Sequence, residues 1–124
     1  MKPPIPLEDA EQKAFIQWWE AQFPTVRILH VPNGGKRSKS EAARFKGLGV
    51  RSGVPDLQVP GWSLWIEMKR QKGSTTSAEQ DDWIAYLRGI GHTVIVAKGW
   101  EDGRRQVLAW LEANPPASEA AFFG

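Results

Sequence analysis

Two short β-like runs separated by a turn signal constrain the fold of this chain more than any other feature. The runs cover residues 54–59 and 63–69, and the tripeptide Pro60-Gly61-Trp62 lies between them. Turn-forming residues between two strand-like runs favour an antiparallel hairpin. We therefore expect a β-hairpin in the middle of the chain.

Charged side chains lie on the second of these runs. Side chains of a strand alternate between its faces, so Glu67 and Lys69 project from the same face, about 6 to 7 Å apart. Charged groups are rarely buried unless they are paired or bind a metal. Pairing across the turn brings Asp56 near Glu67, and two close carboxylates repel each other unless a cation lies between them. Carboxylate oxygens suit Mg²⁺ or Mn²⁺.

A purely structural interpretation accounts for the same residues. Glu67 and Lys69 can form an ion pair within the hairpin, and Asp56 can be a turn residue after Pro55. Glu11 lies in the first turn of a predicted helix, where the helix dipole favours an acid whatever its role. The residue pattern alone leaves both interpretations open.

The order of the other elements predicts an α+β fold with a small central mixed β-sheet flanked by helices. Helices are indicated by apolar residues every three or four positions and by two capping-box patterns, Ser38 with Glu41 and Ser77 with Gln80. In chain order, these elements are a helix over 7–23, a strand over 26–31, a helix over 38–46, a helix from Ser77 to Gly89 or Gly91, a strand over 92–97 and a helix from after Gly103 to Asn114.

The composition is that of one independently folding unit. A chain of 124 residues with 41% hydrophobic residues and seven Trp has enough apolar surface for one core. We expect a single domain over 1–116 and a flexible tail over 117–124. The absence of Cys excludes a disulfide scaffold, a Cys-based zinc site and a Cys nucleophile. No apolar run approaches the length of a membrane span, so we expect a soluble, cytoplasmic protein without a membrane partner.

Positive charge is concentrated in one segment. The net charge is +2, but the segment 36–51 carries +5, which leaves −3 for the rest of the chain. Its basic residues are Lys36, Arg37, Lys39, Arg44, Lys46 and Arg51. Such a block is typical of a surface that meets an anionic partner such as nucleic acid. A solvated loop explains the charge equally well.

Several motifs together resemble a known nuclease family. Pro55-Asp56, followed after ten residues by Glu67-Met68-Lys69, resembles the PD-(D/E)xK signature of a nuclease superfamily with a helix, three strands, helix, strand core. More narrowly, the chain is similar to the virus-type replication-repair nuclease (VRR-NUC) domain over nearly all of residues 7–111. The shared motifs are Glu11, His30-Val31-Pro32-Asn33, Gly53-Val54-Pro55-Asp56-Leu57, Glu67-Met68-Lys69, and the segment 77–83 with Gln80, followed by Gly91 and a Val-rich strand.

The resemblance implies a Mg²⁺- or Mn²⁺-dependent endonuclease. Asp56 and Glu67 would be metal ligands together with the main-chain carbonyl of Met68, and Glu11 would complete the site directly or through water. Lys69 would orient or deprotonate the attacking water. Two further residue groups would surround this centre. Gln80 would lie at its rim, or act only as a helix cap, and His30 and Asn33 would lie near its mouth, as substrate contacts or simply as strand-end and turn residues.

The resemblance also implies a substrate class and an assembly. Stand-alone members of this kind act on branched or structured DNA, with behaviour like that of a Holliday-junction resolvase. Paired nicks require two active sites, so we expect a homodimer. A phage or virus origin stays open. The alternatives are a nuclease for flaps, other DNA or RNA, and a non-catalytic nucleic-acid-binding module, although a pure binder has no reason to place acids beside a phosphate backbone.

Overall fold

The computed structural model describes residues 4–32 and 38–115, which form an α+β domain as predicted. Asn33, Lys36, Arg37 and the tail 117–124 lie outside the described residues. Within the described ranges, no helix combines the length and the apolar character needed to cross a bilayer. The elements are α1 (Glu8–Gln22), β1 (Leu29–His30), α2 (Lys39–Gly47), β2 (Leu57–Val59), β3 (Leu64–Lys69), α3 (Ala78–Gly89), β4 (Thr93–Lys98) and α4 (Trp100–Ala113).

The four strands form one mixed sheet in the order β1-β2-β3-β4. β1 pairs with β2 and β2 with β3 in antiparallel fashion, whereas β4 runs parallel to β3. The predicted hairpin is therefore confirmed, with the short 3-10 turn Pro60–Trp62 between its strands. Leu57 pairs with Ile66, so Asp56 lies beside Glu67 where β2 begins.

Two predicted strands are shorter in the structure. The strand predicted over 26–31 is reduced to β1, because Val26 belongs to the core under α1 and its carbonyl accepts a 2.9 Å hydrogen bond from Nε1 of Trp19. The strand predicted over 54–59 begins only at Leu57. Pro55 has no N–H to donate to a sheet, and Gly53 has a φ of +89° that a strand cannot continue through.

The two faces of β3 pack against different helices, as its alternation predicts. Leu64, Ile66 and Met68 belong to the main core with residues of α1 and α4, and Trp65 packs against the cluster that includes α3. The main core also contains Phe15, Trp19, Phe23, Val26, Leu57, Val59, Ile95, Ala97 and Val107. Charged residues at the end of β3 therefore lie beside α3, away from the main core.

The last helix begins earlier than the sequence predicts. Gly103 suggested a helix start, but α4 starts at Trp100 and contains Gly103 as a buried residue. A Cβ at this position would lie 2.8 Å from a ring carbon of Phe15. The glycine therefore allows α4 to pass close to α1 and does not mark a helix boundary.

Candidate active site

Asp56 is held by the backbone of β3 and by the backbone of the residue that follows β1. Its Oδ2 accepts a 2.8 Å hydrogen bond from the amide of Met68 on β3. Its carbonyl oxygen accepts a 2.7 Å hydrogen bond from the amide of Val31 and lies 3.0 Å from Nδ1 of His30. Asp56 is only 9% exposed, and these hydrogen bonds fix the direction of its carboxylate.

A glycine sets the path of the chain into Asp56. Gly53 packs so closely on the first turn of α3 that a Cβ would lie 2.6 Å from the backbone carbon of Glu79. Because its φ of +89° is also unfavourable for other residues, Gly53 meets two requirements at once. The close approach brings the segment before Asp56 against α3.

Glu67 lies fully inside the protein at the end of the hairpin, 1% exposed. Its Oε1 accepts a 2.9 Å hydrogen bond from Nε2 of Gln80 and lies 3.7 Å from Nζ of Lys69. Its Oε2 is buried and has no hydrogen-bond partner among the described residues. A buried carboxylate oxygen without a donor is costly unless a cation or a proton compensates it.

Gln80 connects α3 to both charged residues of β3. While its Nε2 donates to Glu67, its Oε1 accepts from Nζ of Lys69 over 2.9 Å and from the amide of Ser77 over 2.8 Å. The Ser77 hydroxyl completes the predicted capping box by accepting from the amide of Gln80. Capping and contact with the charged residues are therefore combined in one side chain.

A third carboxylate belongs to Glu8, which the sequence analysis did not single out. One oxygen each from Glu8, Asp56 and Glu67 lie within 4.8 Å of one another. Glu8 is the first residue of α1 and shares its opening turn with Asp9 and Glu11. Three acids in one turn satisfy the same dipole preference, so this pattern alone does not identify the one at the site.

Glu11 has a different environment. The residue is 2% exposed, and its carboxylate accepts hydrogen bonds from Nε2 of Gln71 over 2.9 Å and from the amide of Trp100 over 3.3 Å. Glu11 lies four and eight residues before the core residues Phe15 and Trp19, a spacing that places it on the core face of α1. That periodicity was the available sequence signal that Glu11 points into the packed interior.

The three clustered carboxylates all have raised pKa values. Burial, followed by the charge of Asp56, raises the pKa of Glu67 to about 8. Burial also raises the pKa of Asp56, against the opposing hydrogen bond from Met68, and burial and Asp56 raise that of Glu8. Such a cluster tends to hold a proton or a cation at neutral pH.

The donor set fits a hard divalent cation. It consists of carboxylate oxygens, it includes the unpartnered Oε2 of Glu67, and Lys69 supplies an ammonium beside it. Oxygen-only sites of this kind suit Mg²⁺ or Mn²⁺ better than the softer transition metals. Asp56, Glu67 and Glu8 are the residues that could hold the ion.

The described basic residues of the segment 36–51 are exposed. α2 buries none of its residues, and Lys39, Arg44 and Lys46 project from it. Arg51 donates from Nη1 to the carbonyl of Lys46 over 2.8 Å, which places its guanidinium at the C-terminal end of the helix. Near the carboxylates, His30 is exposed, and its Nδ1 also lies 3.3 Å from Nε2 of Gln12.

Comparison with known proteins places this geometry in context. The family model of the VRR-NUC domain matches residues 7–101. A solved structure described as a "VRR_NUC domain protein" superposes with a TM-score of 0.71 at 27% sequence identity, covering 88% of this chain and 91% of that chain. No curated protein matches the chain.

Proposed function

The chain belongs to the VRR-NUC family, and we propose that it is a metal-dependent endonuclease that hydrolyses phosphodiester bonds in DNA. The domain has a nuclease-type fold, and the family indicates nuclease activity with DNA as the substrate. We further propose that cleavage depends on a divalent metal, that structured DNA is the preferred substrate and that the protein acts as a homodimer.

The buried, unpartnered Oε2 of Glu67 within the carboxylate cluster carries the proposal. Asp56, Glu67 and Glu8 would hold Mg²⁺ or Mn²⁺, with the carbonyl of Met68 as a further ligand. When bound, such an ion neutralises charge on the phosphate oxygens and makes a bound water more acidic. Glu8 takes the role that sequence reasoning gave to Glu11, because its carboxylate reaches the cluster and that of Glu11 is held by Gln71 and Trp100.

Lys69 is the residue that we assign to the water nucleophile. Lys69 is 7% exposed, and its ammonium lies between Gln80 and Glu67, at 2.9 Å and 3.7 Å respectively. As an ammonium, a lysine fixed in this way orients the attacking water and offsets the charge that builds up on the phosphorus oxygens, and as a neutral amine it would take a proton from that water. Gln80 bonds to both the Lys69 ammonium and the Glu67 carboxylate and so fixes their relative positions.

Substrate binding is assigned to the basic segment and to the rim of the site. Lys39, Arg44, Lys46 and Arg51, together with Lys36 and Arg37, would contact phosphates, and His30 and Asn33 would contact the substrate near the carboxylates. An exposed helix that buries no residue presents its basic side chains to a DNA backbone without disturbing the core. We propose branched DNA, including four-way junctions, as the preferred substrate.

Resolution of a four-way junction by paired nicks requires two active sites in a fixed relation, and the described residues of one chain contain one such carboxylate cluster. A two-fold homodimer supplies the second with matching symmetry. Light scattering should give twice the mass of one chain. Mixtures of wild type and Asp56→Asn should contain hybrids that nick only one strand, whereas a protein that is monomeric when free and when DNA-bound would reject the resolvase part of the proposal.

The decisive experiment combines a panel of substrates with carboxylate variants. Labelled junction, flap, single-stranded and duplex DNA, and one RNA, are incubated with Mg²⁺, Mn²⁺ or EDTA. We expect metal-dependent cutting by wild type, and its loss in Asp56→Asn and Glu67→Gln with DNA affinity largely retained. Asp82→Asn, which removes an exposed carboxylate of α3, is the control and should cut normally. DNA binding without cutting under every condition would instead identify a non-catalytic binding module.

A further inference from the structure

Glu8 occupies a position that needs external support. It is the first residue of α1, and the preceding residue, Leu7, makes no side-chain capping bond. The first amides of a helix have no partners within the helix, so an uncapped first turn readily frays. A metal ligand on such a turn has a defined position only if other parts of the protein hold it.

The two consecutive residues directly after β3, Arg70 and Gln71, contact the chain on both sides of Glu8. Arg70 donates from Nη2 to the carbonyl of Ile5 over 3.1 Å and from Nε to the carbonyl of Pro6 over 3.4 Å. Gln71 donates from Nε2 to Oε2 of Glu11 over 2.9 Å. The segment before Glu8 and the turn after it are therefore both attached to the end of β3.

The start of α4 also contacts the carboxylate of Glu11. The other oxygen of Glu11 accepts from the amide of Trp100, where the positive end of the helix dipole favours an anion. Gly99 has a φ of +93°, and a Cβ there would lie 2.8 Å from Cγ of Gln71 and 2.8 Å from Oε2 of Glu11. Absence of a side chain at Gly99 thus leaves room for this contact.

We propose that Arg70 and Gln71 are positioning residues that hold Glu8 against Asp56 and Glu67. The proposal rests on the function proposed above and adds a division of labour between the two acids of α1. Glu8 is the ligand, and Glu11 is the anchor through which Gln71 fixes the helix end. Because Arg70 and Gln71 follow Lys69 directly, the strand that carries Glu67 also sets the position of the third carboxylate.

A double-mutant cycle on metal affinity tests this assignment. Mn²⁺ affinity is measured by electron paramagnetic resonance for wild type, Arg70→Ala, Gln71→Ala and Glu8→Gln, and for each positioning variant combined with Glu8→Gln. We expect each positioning variant to lower Mn²⁺ affinity about tenfold, the lower end of the usual effect of residues that orient metal ligands. In the Glu8→Gln background neither should cause a further loss, because the ligand that they position is absent.

Three controls separate this role from general support of the fold. Lys72→Ala removes an exposed positive charge two residues after Arg70 and should leave Mn²⁺ affinity unchanged. Arg70→Lys keeps a donor and should restore part of the affinity that Arg70→Ala loses. Gly99→Ala should reproduce the Gln71→Ala pattern, because its methyl group displaces the contact between Gln71 and Glu11. Circular dichroism melts confirm that every compared variant is folded at the assay temperature.

The outcomes distinguish the two proposals. The positioning role would be overturned if each positioning variant lost the same Mn²⁺ affinity with and without Glu8, or if both alanine variants kept wild-type affinity. In either case the nuclease assignment stands as long as the wild type binds Mn²⁺ and cuts DNA. A wild-type protein that neither binds Mn²⁺ nor cuts would overturn the proposed function and the positioning role with it. Losses confined to the background that contains Glu8 support the assignment.

Discussion

Gln80 donates from Nε2 to Oε1 of Glu67 over 2.9 Å, which joins the first turn of α3 to a buried carboxylate of β3. The amide oxygen of the same side chain accepts from Lys69 and from the amide of Ser77. An amide is suited to this position because it offers a donor to the carboxylate and an acceptor to the ammonium. Removal of either capacity should therefore change the site in a specific way.

Gln80→Ala should lower cleavage about 10- to 100-fold, the usual effect of losing a partner that orients a metal ligand. The variant also loses half of a capping box, which should cost about 0.5 to 1 kcal/mol of unfolding free energy. Gln80→Glu keeps the acceptor but places a second carboxylate against Glu67, so it should bind Mg²⁺ with altered pH dependence. Wild-type turnover by both variants, measured under saturating Mg²⁺, would contradict a role for Gln80.

Lys69→Ala should reduce the cleavage rate by about 100-fold or more, because it removes the cation that orients water and balances transition-state charge. Mn²⁺ should still bind, since the carboxylates remain. Lys69→Arg should rescue only in part, because a guanidinium is bulkier and does not release its proton at accessible pH. Single-turnover rates against pH test this, and equal rates for wild type and the Arg variant would exclude proton transfer by Lys69.

The stability of the metal-free protein should fall as pH rises from about 5 to 8. The folded state keeps a proton on Glu67, whose pKa is raised to about 8, over a range in which the unfolded chain has already lost it near its ordinary value of 4.5. The raised pKa values of Asp56 and Glu8 act in the same direction. Urea unfolding of wild type and Glu67→Gln isolates this effect, since the variant should have a smaller slope.

Saturating Mg²⁺ should reverse this trend, because the ion replaces the proton and binds more tightly as the carboxylates ionise. The unfolding free energy in Mg²⁺ should therefore increase relative to the metal-free protein as pH rises toward 8. An identical pH dependence with and without Mg²⁺ would indicate that the ion does not bind to these carboxylates.

Gly53→Ala should destabilise the fold and lower cleavage. The added Cβ would lie 2.6 Å from the backbone of Glu79, and relief of this clash would displace the segment that leads to Asp56. The matched control is Gly49→Ala, where φ is +98° but no atom lies within 4 Å of the added Cβ. Gly49→Ala should cost only about 1 to 2 kcal/mol for the left-handed backbone and leave turnover unchanged. Equal effects of the two variants would exclude a special role for the contact between Gly53 and α3.

Neutralisation of one basic residue on α2, as in Arg44→Gln or Lys46→Gln, should weaken DNA binding similarly for all sequences. Each lost phosphate contact should reduce the slope of log affinity against log salt by about one. Arg105→Gln on α4, where the guanidinium is bonded to Asp102, makes the same change in net charge and should leave the slope unchanged. Fluorescence anisotropy at several salt concentrations measures this, and unchanged slopes for both α2 variants would show that these two residues make no phosphate contact.

Local periodicity and turn chemistry were sufficient to predict the hairpin, the faces of its second strand and the start of α3. Alternation along 63–69 separated the core face of β3 from the face with Glu67 and Lys69, and the turn at Pro60-Gly61 set the pairing that brings Asp56 beside Glu67. The capping box of Ser77 and Gln80 likewise depends on residues three positions apart. Such patterns involve residues that are close in sequence, so they can be predicted without knowledge of the rest of the protein.

Long-range packing controls which acid of α1 reaches the carboxylate cluster and where α4 begins. Glu8 and Glu11 satisfy the helix dipole equally, and the spacing of Glu11 to Phe15 and Trp19 indicates only that Glu11 faces the core. The packing of α1 shows what each acid meets: Glu11 contacts the start of α4, and Glu8 lies beside Asp56 and Glu67. Gly103 suggests a helix boundary in the sequence, but in the structure it lies within α4, where the ring of Phe15 occupies the space that a side chain would need. Both outcomes depend on contacts between elements far apart in sequence, which fix the rotation and spacing of helices and which no local pattern contains.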